Sequence, residues 1–251
     1  MLFSIITINL NNVIGLKETM SSILTQSFSD YEIIVVDGGS TDGSKEYIDS
    51  IKNNKITSLY ERDNGIYDAM NKGMKCAKGK YLLFINSGDC LAEDITLEKI
   101  AISINGADML YGDTIVVSEN GKKYFYKKAR DIKWKSYLLF THHQSIVYKL
   151  EVIKRKMIQY DLNYKIASDY AFTLNFIKYA KNIKRVNYPI SKFKFGGMSN
   201  KYFIIGIEEN FIIRKKYLNC FFLSNLFWTL VSLFTNLLRR YVKYIYEFIR
   251  Y

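Results

Sequence analysis

Asp89 ends the segment Tyr81-Leu82-Leu83-Phe84-Ile85-Asn86-Ser87-Gly88-Asp89, and its setting suits the handling of a diphosphate. The apolar and aromatic run reads as a buried strand. Small polar residues and one carboxylate follow at its end. In an open α/β sheet, ligands bind outside the carboxyl ends of the strands. A carboxylate placed there can hold a divalent cation, because Mg²⁺ accepts one or two carboxylates and completes its octahedron with water and phosphate oxygens. The alternative is a strand-ending turn, since Asn, Ser, Gly and Asp are the commonest turn formers.

Three further polar loops follow apolar runs. The first holds Thr7, Asn9 and Asn11. The second runs from Asp37 to Asp42, with Gly38 and Gly39 allowing a flat ligand close to the backbone. The third is Glu61-Arg62-Asp63-Asn64-Gly65, which leads into Tyr67, Asp68 and Asn71. Acceptors such as Asp37 suit a uracil N–H or ribose hydroxyls, and Arg62 suits either phosphate or a surface ion pair. No G-x-G-x-x-G follows the first strand and no G-x-x-x-x-G-K-S/T occurs, so the dinucleotide fingerprint and the P-loop are both missing.

The elements that position these loops follow from apolar patterning. Leu2–Ile8, Glu32–Val36, Ile56–Tyr60 and Tyr81–Ile85 read as buried parallel strands. Helices are predicted over Ile14–Leu24, Ser44–Ile51 and Ile66–Ala77. The alternation is a βαβ series, and right-handed crossovers align the four loops along one rim. Beyond Asp89, a helix is expected at Ile95–Ile104 and strands at Met109–Val117 and Lys122–Lys127, around the turn Glu119-Asn120-Gly121. A strand at His142–Tyr148, a helix at Ser168–Tyr179 and a last short strand at Lys184–Tyr188 complete the pattern.

A chain of 251 residues with 49% hydrophobic and 16% aromatic residues can bury a sizeable core, which excludes general disorder. Three cysteines, Cys76, Cys90 and Cys220, match no metal-ligand spacing and imply a reducing compartment. Met1 leads straight into an apolar strand, without a basic, cleavable leader, so a cytoplasmic location is expected. The net charge is +12, and residues 212–251 carry seven Lys or Arg against one Glu. Such asymmetry points to an anionic surface as partner.

Residues 217–238 contain no charge. Asn225, Thr229, Ser232 and Asn236 nevertheless form a stripe, continued by Arg240, Lys243, Glu247 and Arg250. Phe222, Leu226, Leu230, Leu233, Phe234, Leu237 and Leu238 lie on the other faces. The pattern is a basic amphipathic helix of the kind that lies in a membrane interface. Packing on the main domain, pairing with a second copy in a homodimer, and a true span are the alternatives. An apolar opposite face suits lipid better than a phosphate backbone, so no nucleic-acid partner is expected.

Seven blocks in order resemble family 2 glycosyltransferases of the GT-A fold, particularly bacterial enzymes of polysaccharide and O-antigen assembly. They are SIITINLNN (4–12), YEIIVVDGGSTDGS (31–44), ERDNGIYDAMNKGMKCAKGKYLLFINSGD (61–89), YGD (111–113), HHQSIVYK (142–149), YKIASDY (164–170) and GGMS (196–199). The resemblance implies an α/β, Rossmann-like nucleotide-diphospho-sugar transferase fold, with a mostly parallel sheet and a C-terminal amphipathic helical appendage. The expected division is a transferase domain over 1–205, with a nucleotide-sugar half (1–90) and an acceptor half (91–205), followed by a membrane-associating region over 206–251.

The resemblance further implies a nucleotide-sugar donor, usually a UDP-sugar, bound by Thr7, Asn9, Asp37, Asp63, Asn71, Asn86 and Asp89. Asp89 matches the last aspartate of the family's D-x-D-type motif and would meet Mg²⁺ or Mn²⁺ and the diphosphate. The common D-S-D-D form is here Asn86-Ser87-Gly88-Asp89, with a single carboxylate. His143 is a second candidate metal ligand. Asp113, His143 and Gln144 are candidates on the acceptor side, and Gly196-Gly197 is a candidate flap. Asp169 matches the catalytic base. An acceptor hydroxyl is a poor nucleophile at neutral pH, so a carboxylate must take its proton as attack proceeds. Single displacement then inverts the anomeric centre. The same Asp169 also fits a carboxylate stabilising a helix N-terminus.

The expected activity is therefore inverting sugar transfer to a polyprenyl-diphosphate-linked glycan at the inner face of the cytoplasmic membrane. The missing D-x-D carboxylate keeps an inactive nucleotide-binding or scaffold subunit as the alternative.

Overall fold

The expected βαβ series forms the first half of the chain. It comprises β1 (Phe3–Asn9), α1 (Val13–Leu24), β2 (Tyr31–Asp37), α2 (Ser44–Ser50), β3 (Ile56–Tyr60), α3 (Ile66–Cys76) and β4 (Tyr81–Phe84). The computed structural model describes residues 1–118, 123–132, 137–197 and 201–241, with side chains to 238. Beyond β4 come β5 (Cys90–Leu91), α4 (Thr96–Ile104), β6 (Met109–Val117), β7 (Tyr124–Lys127) and β8 (Ile146–Lys149). Then follow α5 (Leu150–Lys156), α6 (Ser168–Ile177), β9 (Ile183–Lys194), α7 (Phe203–Leu218) and α8 (Phe222–Tyr241).

The strands form one mixed sheet in the order β3-β2-β1-β4-β8-β6-β9-β5, with β7 paired to β6. β1 runs parallel to both β2 and β4. β8 lies antiparallel between β4 and β6. Alternation along β1 divides the core. Ile6 and Ile8 pack with Met70, Met74, Phe84 and Tyr148 on one face. Phe3 and Ile5 pack with Leu16, Met20 and Ile23 on the other. This is the period of two that a strand buried on both faces produces. Gly73 permits the close approach of α3, since a Cβ there would meet Ile6 Cγ2 at 2.7 Å.

Three elements differ from expectation. His142–Tyr148 is not one strand: a 3-10 turn at His143–Ser145 precedes β8. β9 continues past Pro189 to Lys194, because Pro189 sits opposite Asp113 at an irregularity in the β6–β9 register. A proline without an N–H is tolerated at such a bulge. The boundary expected at 205/206 falls inside α7, whose Ile213 packs with Tyr164, Tyr170 and Leu174. The β6–β7 hairpin pairs as expected, but its turn, Glu119-Asn120-Gly121, lies outside the described residues.

The C-terminal helix turns its polar stripe inward. Asn225 and Ser232 are buried, whereas Phe222, Leu223, Phe227, Leu230 and Phe234 are exposed. The anchor is Arg214 of α7, fully buried, whose guanidinium donates to Asn225 Oδ1 (2.6 Å), Thr229 Oγ1 (2.6 Å) and Tyr137 O (3.2 Å). Burying a guanidinium is tolerable only when its donors are matched. The stripe therefore serves the protein, and the apolar face is left outside. Lys243, Glu247 and Arg250 lie outside the described residues, as does the side chain of Arg240. Among the described residues no helix is long and apolar enough to cross a membrane.

Candidate active site

The rim begins where β1 and β2 end side by side, with Asn9 in register with Asp37. Asn9 Nδ2 donates to Asp37 Oδ2 (2.8 Å) and to Ser40 Oγ (3.2 Å). Asp37 Oδ1 accepts from the amides of Gly39 (3.0 Å) and Ser40 (2.7 Å). Asp37 thus holds the turn it begins. Gly39 stands at φ +93°, a left-handed conformation that glycine adopts without strain. Asp63 reaches the same place: its Oδ2 lies 2.4 Å from where a Cβ on Gly38 would stand. A Cβ at Gly38 would force the Asp63 carboxylate to move.

Three buried polar atoms of this rim have no hydrogen-bond partner among the described residues: Thr7 Oγ1, Asn9 Oδ1 and Asn86 Oδ1. Buried polar atoms are ordinarily paired, and an unpaired group calls for an explanation. All three belong to the ends of the neighbouring strands β1 and β4. All three are residues in which sequence reasoning expects nucleotide-sugar contacts.

Asp89 is buried at the end of the fourth loop, which Thr19 of α1 braces. The Thr19 hydroxyl accepts from the Gly88 amide (3.0 Å) and lies 2.6 Å from Asp89 O. Asp89 Oδ2 accepts from Gln144 Nε2 (2.7 Å), and Oδ1 accepts from the Lys194 amide (3.1 Å). Gln144, expected on the acceptor side, instead orients Asp89. Desolvation lifts the Asp89 pKa to about 7, against these two hydrogen bonds, which lower it.

His143 does not join this group. It is buried among Phe84, Tyr148 and Tyr160, with Nε2 2.6 Å from the Tyr160 hydroxyl. Desolvation pushes its pKa down to about 3, so it is neutral. In this structure it sits as a core histidine, its ring enclosed by aromatic neighbours and apart from the rim groups. Asp113 is likewise structural: its carboxylate accepts from Tyr126 Oη (2.7 Å) and the Ala129 amide (2.7 Å), pinning β7 and the chain after it to β6. Both ends of the Asn71 amide bind the Tyr160 main chain at 2.9 Å, so this side chain ties α3 to the second half of the chain.

Among the described residues no three His, Cys, Asp or Glu side chains converge as metal ligands. The donor set still fits a hard cation. Asp89 contributes carboxylate oxygen and Asn86 Oδ1 is an unpaired buried oxygen in the same loop. Mg²⁺ or Mn²⁺ takes oxygen ligands of this kind, with substrate phosphates supplying the remainder.

Asp169 sits in the first turn of α6 and accepts from the Tyr170 amide (2.8 Å). It is half-buried. Desolvation raises its pKa to about 6, and the nearby Glu209 charge adds to the rise. Tyr67 of α3, two residues beyond the third loop, donates to Ile166 O (2.6 Å) just ahead of this helix. Asp169 is thereby tied to the donor rim. Sequence reasoning missed Thr19 and Glu209 as parts of the site. Their signal is a long-range hydrogen bond, which no local pattern announces.

Both raised carboxyls bind protons more tightly folded than unfolded. Their ionisation therefore opposes folding, and stability is gained as pH falls through about 7 for Asp89 and about 6 for Asp169 toward the unfolded values. Asp169→Asn is expected to raise stability by roughly 1–2 kcal/mol at about pH 7.5 and by little at about pH 4.5. Thermal denaturation of both proteins at the two pH values checks this. An unchanged Tm difference between them contradicts a half-buried, protonatable Asp169.

The fold is of the GT-A type. It superimposes on S. aureus TarS residues 1-349 in complex with UDP-GlcNAc with a TM-score of 0.67 at 20% identity, covering 86% of this chain and 67% of that one. The mannosyltransferase PcManGT from Pyrobaculum calidifontis, in complex with GDP-Man and Mn²⁺, gives 0.65 at 14% identity, covering 87% and 64%. The family model for glycosyl transferase family 2 matches residues 4–221, and the chain belongs to that family. A "PGL/p-HBAD biosynthesis glycosyltransferase" from Mycobacterium tuberculosis is 32% identical over 210 residues, 79% of each chain. The match to residue 221 includes α7, in keeping with its place in the core.

Proposed function

We propose that this glycosyltransferase is an inverting enzyme. It moves a sugar from a nucleotide-sugar, of the UDP class, to a hydroxyl of a lipid-linked glycan at the cytoplasmic face of the membrane. The observation that carries the reading is the set of three unpaired buried atoms, Thr7 Oγ1, Asn9 Oδ1 and Asn86 Oδ1, on the rim that also bears Asp89. They offer oxygen to a ligand rich in N–H and O–H groups, as a nucleoside and its sugar are. The UDP and UDP-GlcNAc complexes of TarS support a donor of this class.

Asp169 takes the proton of the acceptor hydroxyl as attack begins. A base works best with a pKa near the operating pH, and about 6 meets that need better than an ordinary aspartate. Asp89, held by Gln144 and the Lys194 amide, is the carboxylate that would meet the donor diphosphate. A divalent cation bound there would offset the charge of the departing nucleotide. Asp37, Asn9 and Asp63 stand together where the first three loops meet. Attack from the face opposite the diphosphate converts an α-linked donor into a β-linked product.

Hydrolysis of a panel of UDP- and GDP-sugars, with and without Mn²⁺, tests the reading. Turnover of a UDP-sugar is expected. Tight UDP binding with no turnover of any donor would instead favour a scaffold subunit.

The exposed apolar face of α8 supports membrane contact. Five large side chains, Phe222, Leu223, Phe227, Leu230 and Phe234, are each more than half exposed on one helix. The basic excess of the last forty residues matches anionic lipid. Replacing Phe227, Leu230 and Phe234 by Ser is expected to weaken binding to anionic vesicles by roughly tenfold or more, since each buried side chain contributes about 1.5–3 kcal/mol. Sedimentation with vesicles measures it. Undiminished binding of a folded triple variant contradicts the assignment, and concentration-dependent dimerisation through this face would replace it.

A further inference from the structure

Glu209 of α7 is a buried carboxylate without an ion-pair partner among the described residues. Acidic side chains are almost never fully buried unless partnered. Its partners are main-chain amides. Oε1 accepts from Lys165 N (2.7 Å), and Oε2 accepts from Ile166 N (2.9 Å) and Ala167 N (2.8 Å). These amides lead directly into α6, whose N-cap residue, Ala167, supplies no side-chain cap. Glu209 instead holds the N-cap amide and the two before it, from as far as 42 to 44 residues away in sequence. On the other side, the Tyr67 hydroxyl donates to Ile166 O. The strap 165–167 is thus held between α7 and α3, and Asp169 follows two residues later.

We propose that Glu209 is a positioning residue for the transfer: by fixing the strap 165–167 it sets the approach of the Asp169 carboxylate to the acceptor hydroxyl. The proposal rests on the reading of Asp169 as the base. It makes α7 a working part of the acceptor half. It also links the base to α8, because Arg214, five residues beyond Glu209, anchors that helix. A displacement of about 1 Å at a reacting group can cost 100-fold in rate, so a misplaced strap reads directly in kcat.

The groups facing Asp169 are Tyr67 from α3, Tyr148 from β8, Tyr160 ahead of α6, and Glu209 from α7. Of these only Glu209 is a carboxylate, and its charge favours the protonated form of Asp169.

The test uses the full chain and the UDP-sugar that the wild type hydrolyses, with Asp169→Asn as the reference variant. For Glu209→Gln, kcat is expected to fall roughly 10- to 100-fold with donor KM within about twofold. The acid limb of its pH profile is expected to move down by roughly half a unit, because a negative charge beside Asp169 is gone. A merely structural Glu209 would lower Tm without moving that limb. If Glu209→Gln does not fold, Glu209→Asp decides. It keeps the charge but draws the acceptor back, so a lower kcat at an unchanged limb is expected, and wild-type kcat overturns the proposal. Wild-type kcat and limb in folded Glu209→Gln, with Asp169→Asn inactive, overturn the proposal and leave the base reading standing. Normal turnover by Asp169→Asn removes the base reading, and this proposal with it.

Discussion

Asp169→Asn is expected to lower transfer by about 10³-fold or more while UDP affinity stays within about twofold. The substitution keeps the size of the side chain and the hydrogen bond to the Tyr170 amide, which a carboxamide oxygen still accepts. What it removes is the ability to take a proton. The wild type should also lose activity as pH falls through about 6, where Asp169 becomes protonated. UDP release from the donor, followed alongside calorimetric UDP binding, separates the two effects. Near-normal turnover would leave Asp169 with only its other role, that of a carboxylate favouring a helix N-terminus.

Asp89→Asn is expected to be nearly as severe, by a different route. Asp89 takes donated hydrogen bonds on both oxygens, from Gln144 and from the Lys194 amide. A carboxamide turns one acceptor into a donor, which then faces an N–H. It also removes the only carboxylate of the loop. Turnover should fall roughly 100- to 1,000-fold, the scale seen when one stabilising group is removed from a developing charge. UDP binding in the presence of Mn²⁺ should weaken, while binding in its absence should change little. Equal loss under both conditions would make Asp89 a structural brace for the loop and leave cation binding without a ligand.

The donor half was legible because strands buried on both faces are continuous apolar runs with polar stops. Tyr31–Asp37 and Ile56–Tyr60 stand within a residue of their expected limits. The second half was less so, for identifiable reasons. Pro189 looks like a strand end, yet it occupies a bulge and β9 runs on. His143 and Asp113 have the chemistry of a site, but their partners, Tyr160, Tyr126 and Ala129, consume it. A side chain's type announces what it can do, whereas its use depends on neighbours distant in sequence. Glu209 is the converse case. It lies in a helix with no clear apolar stripe, and its three amides are more than forty residues away. In α8 the periodicity was readable, but the direction of the stripe was not. Arg214 turns Asn225 and Thr229 inward and leaves Phe227 and Phe234 outside.

The central claim is a single displacement with Asp169 as base, and the configuration of the transferred sugar tests it most directly. The anomeric proton of the product, observed by NMR after transfer from an α-linked UDP-sugar, should show the large coupling of a β-gluco linkage. An α-linked product would contradict the account, because retention requires a second displacement or an internal return that a lone base at Asp169 does not provide.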